Sequence, residues 1–159
     1  MHVRGKKIRH LASILGSVAG AAVLATTLTT ASATTSTAFA LRGSTAGGIK
    51  TVQADQTLTF VFTEINHTAV AVPEDLVITK VTNANIVGNP PCVLPGGVAI
   101  NTDSNTCEPG FVKPGQHASI VITTHVTGAT GTAALVRVCL SNENTGATGP
   151  CKTVSAKIA

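Results

Sequence analysis

The stretch of sequence that decides the fold is QTLTFVFT, residues 56–63. Its apolar residues Leu58, Phe60 and Phe62 alternate with threonines and a valine. A period of two puts one set of side chains on each face of an extended chain, which is the pattern of a half-buried β-strand. The stretch ASIVITTHV, residues 118–126, alternates in the same way. We therefore expect two long strands at these positions.

Shorter apolar runs, separated by turn signals, surround these two strands. They lie at residues 69–72, 76–81, 97–100, 132–140 and 152–158. No window after residue 40 has the 3.6-residue apolar period of an amphipathic helix. About seven short strands in roughly 110 residues predict an all-β fold, an immunoglobulin-like antiparallel β-sandwich, preceded by a helical N-terminal signal peptide.

Residues 1–40 contain the segments of a secretory signal peptide in the expected order. A basic start is followed by an apolar stretch at residues 11–28 and then by small-x-small sites. The first such site is Ala31-Ser32-Ala33, and the second is Ala38-Phe39-Ala40. We favour cleavage after Ala40, with cleavage after Ala33 or retention as a membrane anchor as alternatives. Residues 41–50 are rich in Gly, Ser and Thr and are predicted to be a flexible linker, and residues 51–159 are predicted to form one domain.

Charge and aromatic content exclude several kinds of partner. Four of the eleven Lys and Arg residues lie in the first ten positions, so the other seven balance the seven Asp and Glu residues that follow residue 40. The chain has four Phe and neither Trp nor Tyr. The electrostatic attraction to nucleic acid and the stacking surface needed for sugars or single strands are therefore both missing. We expect an extracellular or cell-envelope protein as partner, no nucleic acid and no membrane span after signal removal, and leave the oligomeric state open.

The four cysteines, Cys92, Cys107, Cys139 and Cys151, all follow the signal. An even number in an exported chain indicates two disulfides, for which three pairings are possible. We favour Cys92–Cys107 and Cys139–Cys151, because each pair is close in sequence and brackets a loop rich in turn formers. A zinc site is disfavoured, since no Cys-x-x-Cys or Cys-x-x-His spacing occurs.

Three segments resemble the bacterial extracellular Ig-like "conserved repeat" domain of unknown function. They are FVFTEINHT at residues 60–68, LPGG at residues 94–97, and CEPGFVKPGQ at residues 107–116 running into the strand at residues 118–126. The resemblance covers roughly residues 52–158. It implies an Ig-like fold in an envelope or extracellular setting and carries no catalytic residues.

No residues are assigned to catalysis, cofactor binding or metal binding. His67, His117 and His125 lack metal-ligand spacing and are expected to face solvent. The triplet Asn101, Asp103 and Asn105 has calcium-loop spacing, but Thr106 stands where such a loop needs glycine, so an Asx-rich turn is the better interpretation.

Two further polar motifs lie on either side of the apolar run at residues 69–72. Glu74 and Asp75 are adjacent and are expected to be solvated loop charges after Pro73. Asn66-His67-Thr68 fits a glycosylation pattern but is interpreted as a turn.

Two functions from different classes remain. The first is a secreted or envelope-associated module with a structural, adhesive or protein-binding role and no enzymatic activity. The second is a small secreted two-disulfide protease inhibitor, or another loop-based binding protein, whose bait segment is the loop between Cys92 and Cys107.

Overall fold

The fold is an all-β sandwich, as the alternation predicts. The computed structural model describes residues 39–97, 99–100 and 105–159, so the predicted signal peptide, apart from its last two residues, lies outside the described part. Within that part twelve strands form two six-stranded sheets whose inner faces share one apolar core. Apart from the seven-residue strand Phe39–Thr45, the strands beyond those expected have only two or three residues, which is too short for an alternating pattern to mark them.

The first sheet has the order β1-β3-β10-β6-β7, with β5 also paired to β10. Its strands are β1 (Phe39–Thr45), β3 (Thr57–Asn66), β5 (Ala84–Ile86), β6 (Cys92–Val93), β7 (Ala99–Ile100) and β10 (His117–Val126). A short 3₁₀ turn (Ala46–Gly48) follows β1. The two strands expected from the sequence, β3 and β10, lie side by side at the centre and pair antiparallel.

The second sheet has the order β2-β12-β11-β4-β8, with β9 also paired to β4. Its strands are β2 (Thr51–Val52), β4 (Val72–Thr82), β8 (Thr106–Cys107), β9 (Phe111–Val112), β11 (Ala133–Asn142) and β12 (Thr148–Ile158). All of its pairs are antiparallel except β2 with β12, which is parallel. The sandwich is thus antiparallel, as predicted, with one short parallel addition.

The core consists of the inward sets of the alternating strands. Phe60, Phe62, Ile120 and Ile122 come from the first sheet and are completely buried. The residues that meet them from the second sheet are Leu76, Val136, Val138, Leu140 and Ile158, also completely buried. Removal of this apolar surface from water is the main stabilising contribution to such a fold.

The start of the sandwich differs from the expectation for residues 41–50. Phe39–Thr45 form a strand that pairs with β3 along seven residues, from Phe39 opposite Asn66 to Thr45 opposite Phe60. The prediction of a flexible linker is therefore wrong for residues 41–45. The Gly, Ser and Thr content hides the strand, because β1 is an edge strand whose order comes from pairing with β3 and not from an apolar pattern of its own.

The Pro-Gly turn before β10 has the conformation that its residues favour. Gln116 N–H donates to the carbonyl of Lys113 at 3.0 Å, and Gly115 has φ of 74°. Proline at the second position and a residue of positive φ at the third are the requirements of a type II turn. The turn is fixed to the end of β3, since Gly115 N–H donates to the Asn66 carbonyl at 2.8 Å.

Candidate functional site

One end of the sandwich collects most of the acidic side chains, and we call it the acidic end. It is the end at which β3 finishes, β4 begins and β11 finishes. Its acidic residues are Glu64, Glu74, Asp75, Glu108 and Glu143. Five of the chain's seven Asp and Glu residues therefore lie together, although the part after residue 40 has no net charge.

Glu64 is the unusual member of this group because it lies inside the sandwich. Its position in β3 continues the inward phase of Phe60 and Phe62, and it is 0% exposed. Neither carboxyl oxygen has a hydrogen-bond partner among the described residues. Burial, then the nearby charges of Glu74 and Asp75, raise the pKa of Glu64 to about 8. The carboxyl group is thus largely protonated at neutral pH in this form of the chain.

Glu74 and Asp75 lie in β4 and not in a solvated loop, so the sequence-based expectation for them is wrong. Both are half-buried, and Pro73 before them is itself part of the strand. Asp75 Oδ1 is buried without a hydrogen-bond partner in the described part of the chain. Burial, followed by the charges of Glu108, Glu143 and Glu74, raises the pKa of Asp75 to about 6.

A cavity of about 250 Å³ opens at the acidic end. The Glu74 side chain forms part of its wall and is oriented by Asn142, whose Nδ2 donates to Glu74 Oε1 at 2.9 Å. The other lining residues are Phe39, Leu140, Ala147, Thr148, Gly149 and Pro150. The wall is therefore mostly apolar, with one carboxylate.

Asn66 fastens the loops of the acidic end to β3. Its buried Nδ2 donates to the carbonyls of Val112 at 2.7 Å and Val70 at 2.8 Å. Its Oδ1 accepts from the backbone N–H and the hydroxyl of Thr68, each at 2.7 Å. The Asn66-His67-Thr68 motif thus forms an Asx turn, and its amide nitrogen is fully used within the folded chain.

Two exposed apolar side chains lie in the segments to which the Asn66 side chain is hydrogen-bonded. Phe111 is 69% exposed and Val70 is 62% exposed. Phe111 belongs to β9, which pairs with the start of β4 through Phe111 opposite Pro73. An aromatic ring thus projects into solvent from a hydrogen-bonded part of the acidic end.

The two disulfides join Cys92 to Cys107 and Cys139 to Cys151, the pairing favoured from the sequence. The first bond connects β6 of one sheet to β8 of the other, and both of its cysteines are 0% exposed. The second connects the paired strands β11 and β12, where Cys139 is opposite Cys151. Cys151 is exposed, so the two bonds differ sharply in their access to solvent.

His117 and His125 are far apart along the first sheet. They lie at the two ends of β10, eight residues apart, which corresponds to roughly 27 Å of strand. His125 Nε2 lies 3.6 Å from Asp55 Oδ1, an exposed pair. Among the described residues no group of three or more His, Cys, Asp or Glu side chains is arranged to hold a metal ion. Asn101 and Asp103 of the calcium-like triplet lie outside the described part, as does Ala38 of the cleavage site.

The burial of Glu64 was not predicted from the sequence, although the alternating pattern of β3 indicates it. Continuing the alternation of residues 56–63 by one step puts Glu64 on the same face as Leu58, Phe60 and Phe62. A carboxyl group in phase with a buried face is the informative exception to the rule that charged residues stay outside.

Comparison with known proteins identifies a fold and no family. No protein-family model matches the chain, and no curated protein does. Among solved structures, it is similar to BcpA, the major pilin subunit of Bacillus cereus, with a TM-score of 0.50 and 11% identity over 76% of this chain. AvmM, which catalyses macrocyclization in alchivemycin A biosynthesis, gives a TM-score of 0.52 at 9% identity over 77% of this chain and 89% of that one. At these identities the likeness shows the fold alone.

The chain spans 39% of the length of the BcpA chain. A PapD-like domain of human CEP192 matches 98% of both chains at 11% identity, but its TM-score of 0.39 is too low to support an argument. The class that these observations define is an Ig-like β-sandwich with two disulfides. In the part of the chain that the structure describes, there is no helix with the length and apolar character needed to cross a membrane.

Proposed function

We propose that this chain is an exported Ig-like module that works at or outside the cell surface as a structural, adhesive or protein-binding element, without catalysis. Its membership in the "conserved repeat" family is part of the same proposal. The fold likeness to a pilin subunit supports a structural role. The buried disulfide between the two sheets supports an oxidising, extracytoplasmic setting.

The observation that carries the proposal is the exposed aromatic ring of Phe111 at the acidic end. An aromatic side chain that is 69% exposed has an unfavourable contact with water, and such residues are typical anchors of protein interfaces. Phe111 is also held in place by the pairing of β9 with β4, so little ordering is needed when a partner binds. The surrounding carboxylates favour a partner whose apolar pocket has a basic rim.

Variants at two exposed apolar positions test this role. Phe111→Ser removes the ring at the acidic end, whereas Val87→Ser changes a side chain that is 52% exposed and follows β5, away from this end. We expect the wild type and Val87→Ser to be retained on washed secreting cells to the same extent, with Phe111→Ser released into the medium. Equal retention of both variants would contradict the assignment of Phe111 as the anchor.

Fractionation tests the exported location separately. We expect the protein outside the cytoplasm, with residues 1–40 removed. Abundant protein in the cytosol with an intact N-terminus would overturn the proposal.

The inhibitor alternative depends on the loop closed by Cys92 and Cys107. The buried disulfide fixes both ends of this loop, which is the feature that favours the alternative. A panel of secreted proteases assayed with micromolar protein separates the two functions. Inhibition that disappears on cleavage within the loop supports the inhibitor, and no inhibition of any protease removes it.

A further inference from the structure

The predicted cleavage site overlaps the first strand of the sandwich. The small-x-small site Ala38-Phe39-Ala40 ends two residues into β1 (Phe39–Thr45). In the register of β1 with β3, the next residue, Leu41, lies directly opposite Glu64. Cleavage after Ala40 would therefore create a new N-terminal ammonium group on the residue that faces the buried carboxyl group.

Among residues 39–97, 99–100 and 105–159, no positively charged group pairs with Glu64. The charged groups of β4 that act on its carboxyl group are Glu74 and Asp75, both acidic. Its partner on β10 is Ala118, which is apolar. On β1 the adjacent Arg42 is exposed and points away, because successive residues of a strand face opposite sides. A completely buried carboxyl group with no hydrogen bond and no cation is costly, and an ionised one more so.

The distances between paired residues allow the new ammonium group to reach this carboxyl group. Directly opposed residues of antiparallel strands have Cα atoms about 4.5–5.5 Å apart. The amino nitrogen is within about 1.5 Å of its own Cα, and a chain terminus can turn toward a partner. The Leu41 side chain packs against the core and anchors the terminus there.

We propose that the ammonium group of Leu41, released by signal cleavage after Ala40, binds the buried carboxylate of Glu64. Before cleavage the same nitrogen is a neutral amide and carries no charge, so the interaction exists only in the processed protein. Glu64 then forms an ion pair with the N-terminus of the processed protein. Removal of the signal peptide stabilises the folded module because it creates this pair. The inference depends on cleavage after Ala40 and not on the proposed surface role.

The exported protein, isolated as the cell makes it, allows a direct test. N-terminal sequencing should give Leu41 as the first residue. The α-amino group of the native protein should then react with an acylating reagent at pH 7–8 about tenfold more slowly than in Glu64→Gln, because a carboxylate partner that raises the amino pKa by one unit lowers the free amine tenfold. Asp55→Asn, which removes an exposed acid at the opposite end, is the matched control and should react like the wild type.

A second measurement uses only the wild-type protein, so it tests the inference even if Glu64→Gln does not fold. Carboxyl ¹³C NMR of the wild-type exported protein should show Glu64 ionised at neutral pH, with its pKa at or below the ordinary range. A different first residue, equal reactivity of wild type and Glu64→Gln, or a Glu64 carboxyl group that stays protonated at pH 7 would each overturn the inference. None of these readouts involves a partner, so they are independent of the retention assay.

Discussion

At the scale of single residues, Glu64 dominates the pH dependence of the chain that keeps Phe39 and Ala40. Its pKa is about 8 in the folded state and has the ordinary value of 4.5 when unfolded. Between these values the folded state holds a proton that the unfolded state has lost, so the free energy of unfolding falls as the pH rises. Asp75, with a pKa of about 6, contributes in the same direction at lower pH.

We expect the uncleaved chain to lose about 2 kcal/mol of stability between pH 6 and pH 8 through Glu64. Glu64→Gln should remove most of this loss, because an amide does not ionise. Urea unfolding at the two pH values measures it. A wild-type stability that is constant or rises over this range would contradict the buried, unpaired position of Glu64.

Asn66 is the second residue with a large expected effect. Its side chain makes two donated and two accepted hydrogen bonds at the acidic end. Asn66→Ala leaves the buried Val112 carbonyl without this donor and removes the bonds to Val70 and Thr68, so it should destabilise the fold by about 3 kcal/mol. Thermal unfolding compares this variant with Asn144→Ala, an exposed turn residue that should behave like the wild type. Equal melting temperatures for the two variants would contradict the role of Asn66.

At the scale of elements, β1 depends on a close approach at Gly43. A Cβ atom there would lie 2.7 Å from Val154 Cγ2 and 2.8 Å from Phe62 Cδ1. Gly43→Ala should therefore push β1 away from the sandwich and speed amide hydrogen exchange along residues 42–45. Ser44→Ala, at the neighbouring exposed position, should leave exchange unchanged. Slow exchange in Gly43→Ala would show that β1 does not pack as described.

The two disulfides should differ in their response to reductant. Cys139–Cys151 has an exposed cysteine, whereas Cys92 and Cys107 are completely buried. Because thiol exchange needs access to a sulfur atom, we expect mild reductant to open Cys139–Cys151 first. Alkylation and mass mapping of the native protein at increasing reductant concentration measure the order. Earlier reduction of Cys92–Cys107 would contradict the placement of that bond between the sheets.

The strands that could be predicted from the sequence are those with an alternating apolar and polar pattern of their own. β3 and β10 were placed within three residues of their observed ends, and both disulfide pairs follow from local spacing. The strand β1 was not predicted because its Gly and Ser residues give no apolar pattern. It is held in place by pairing with β3 and by the close approach of Gly43 to Val154. The meeting of Glu64 with Glu74 and Asp75 was missed for a related reason, since it depends on which strands of the two sheets face each other.

At the scale of the whole molecule, the charges are distributed unevenly, both along the chain and over the sandwich. The excess of four positive charges belongs to the first ten residues, whereas five acidic residues gather at one end of the sandwich. The same end holds the start of β1, the cavity and the exposed Phe111. The proposed cleavage site and the proposed partner-binding residue Phe111 therefore lie at the same end of the sandwich.

The most direct test of an exported, processed and disulfide-bonded module is the intact mass and N-terminal sequence of the protein recovered without reductant. We expect protein outside the cytoplasm that begins at Leu41 and is four hydrogens lighter than its reduced form, because both disulfides are closed. Protein that stays in the cytosol, begins at Met1 and carries four free thiols would contradict it.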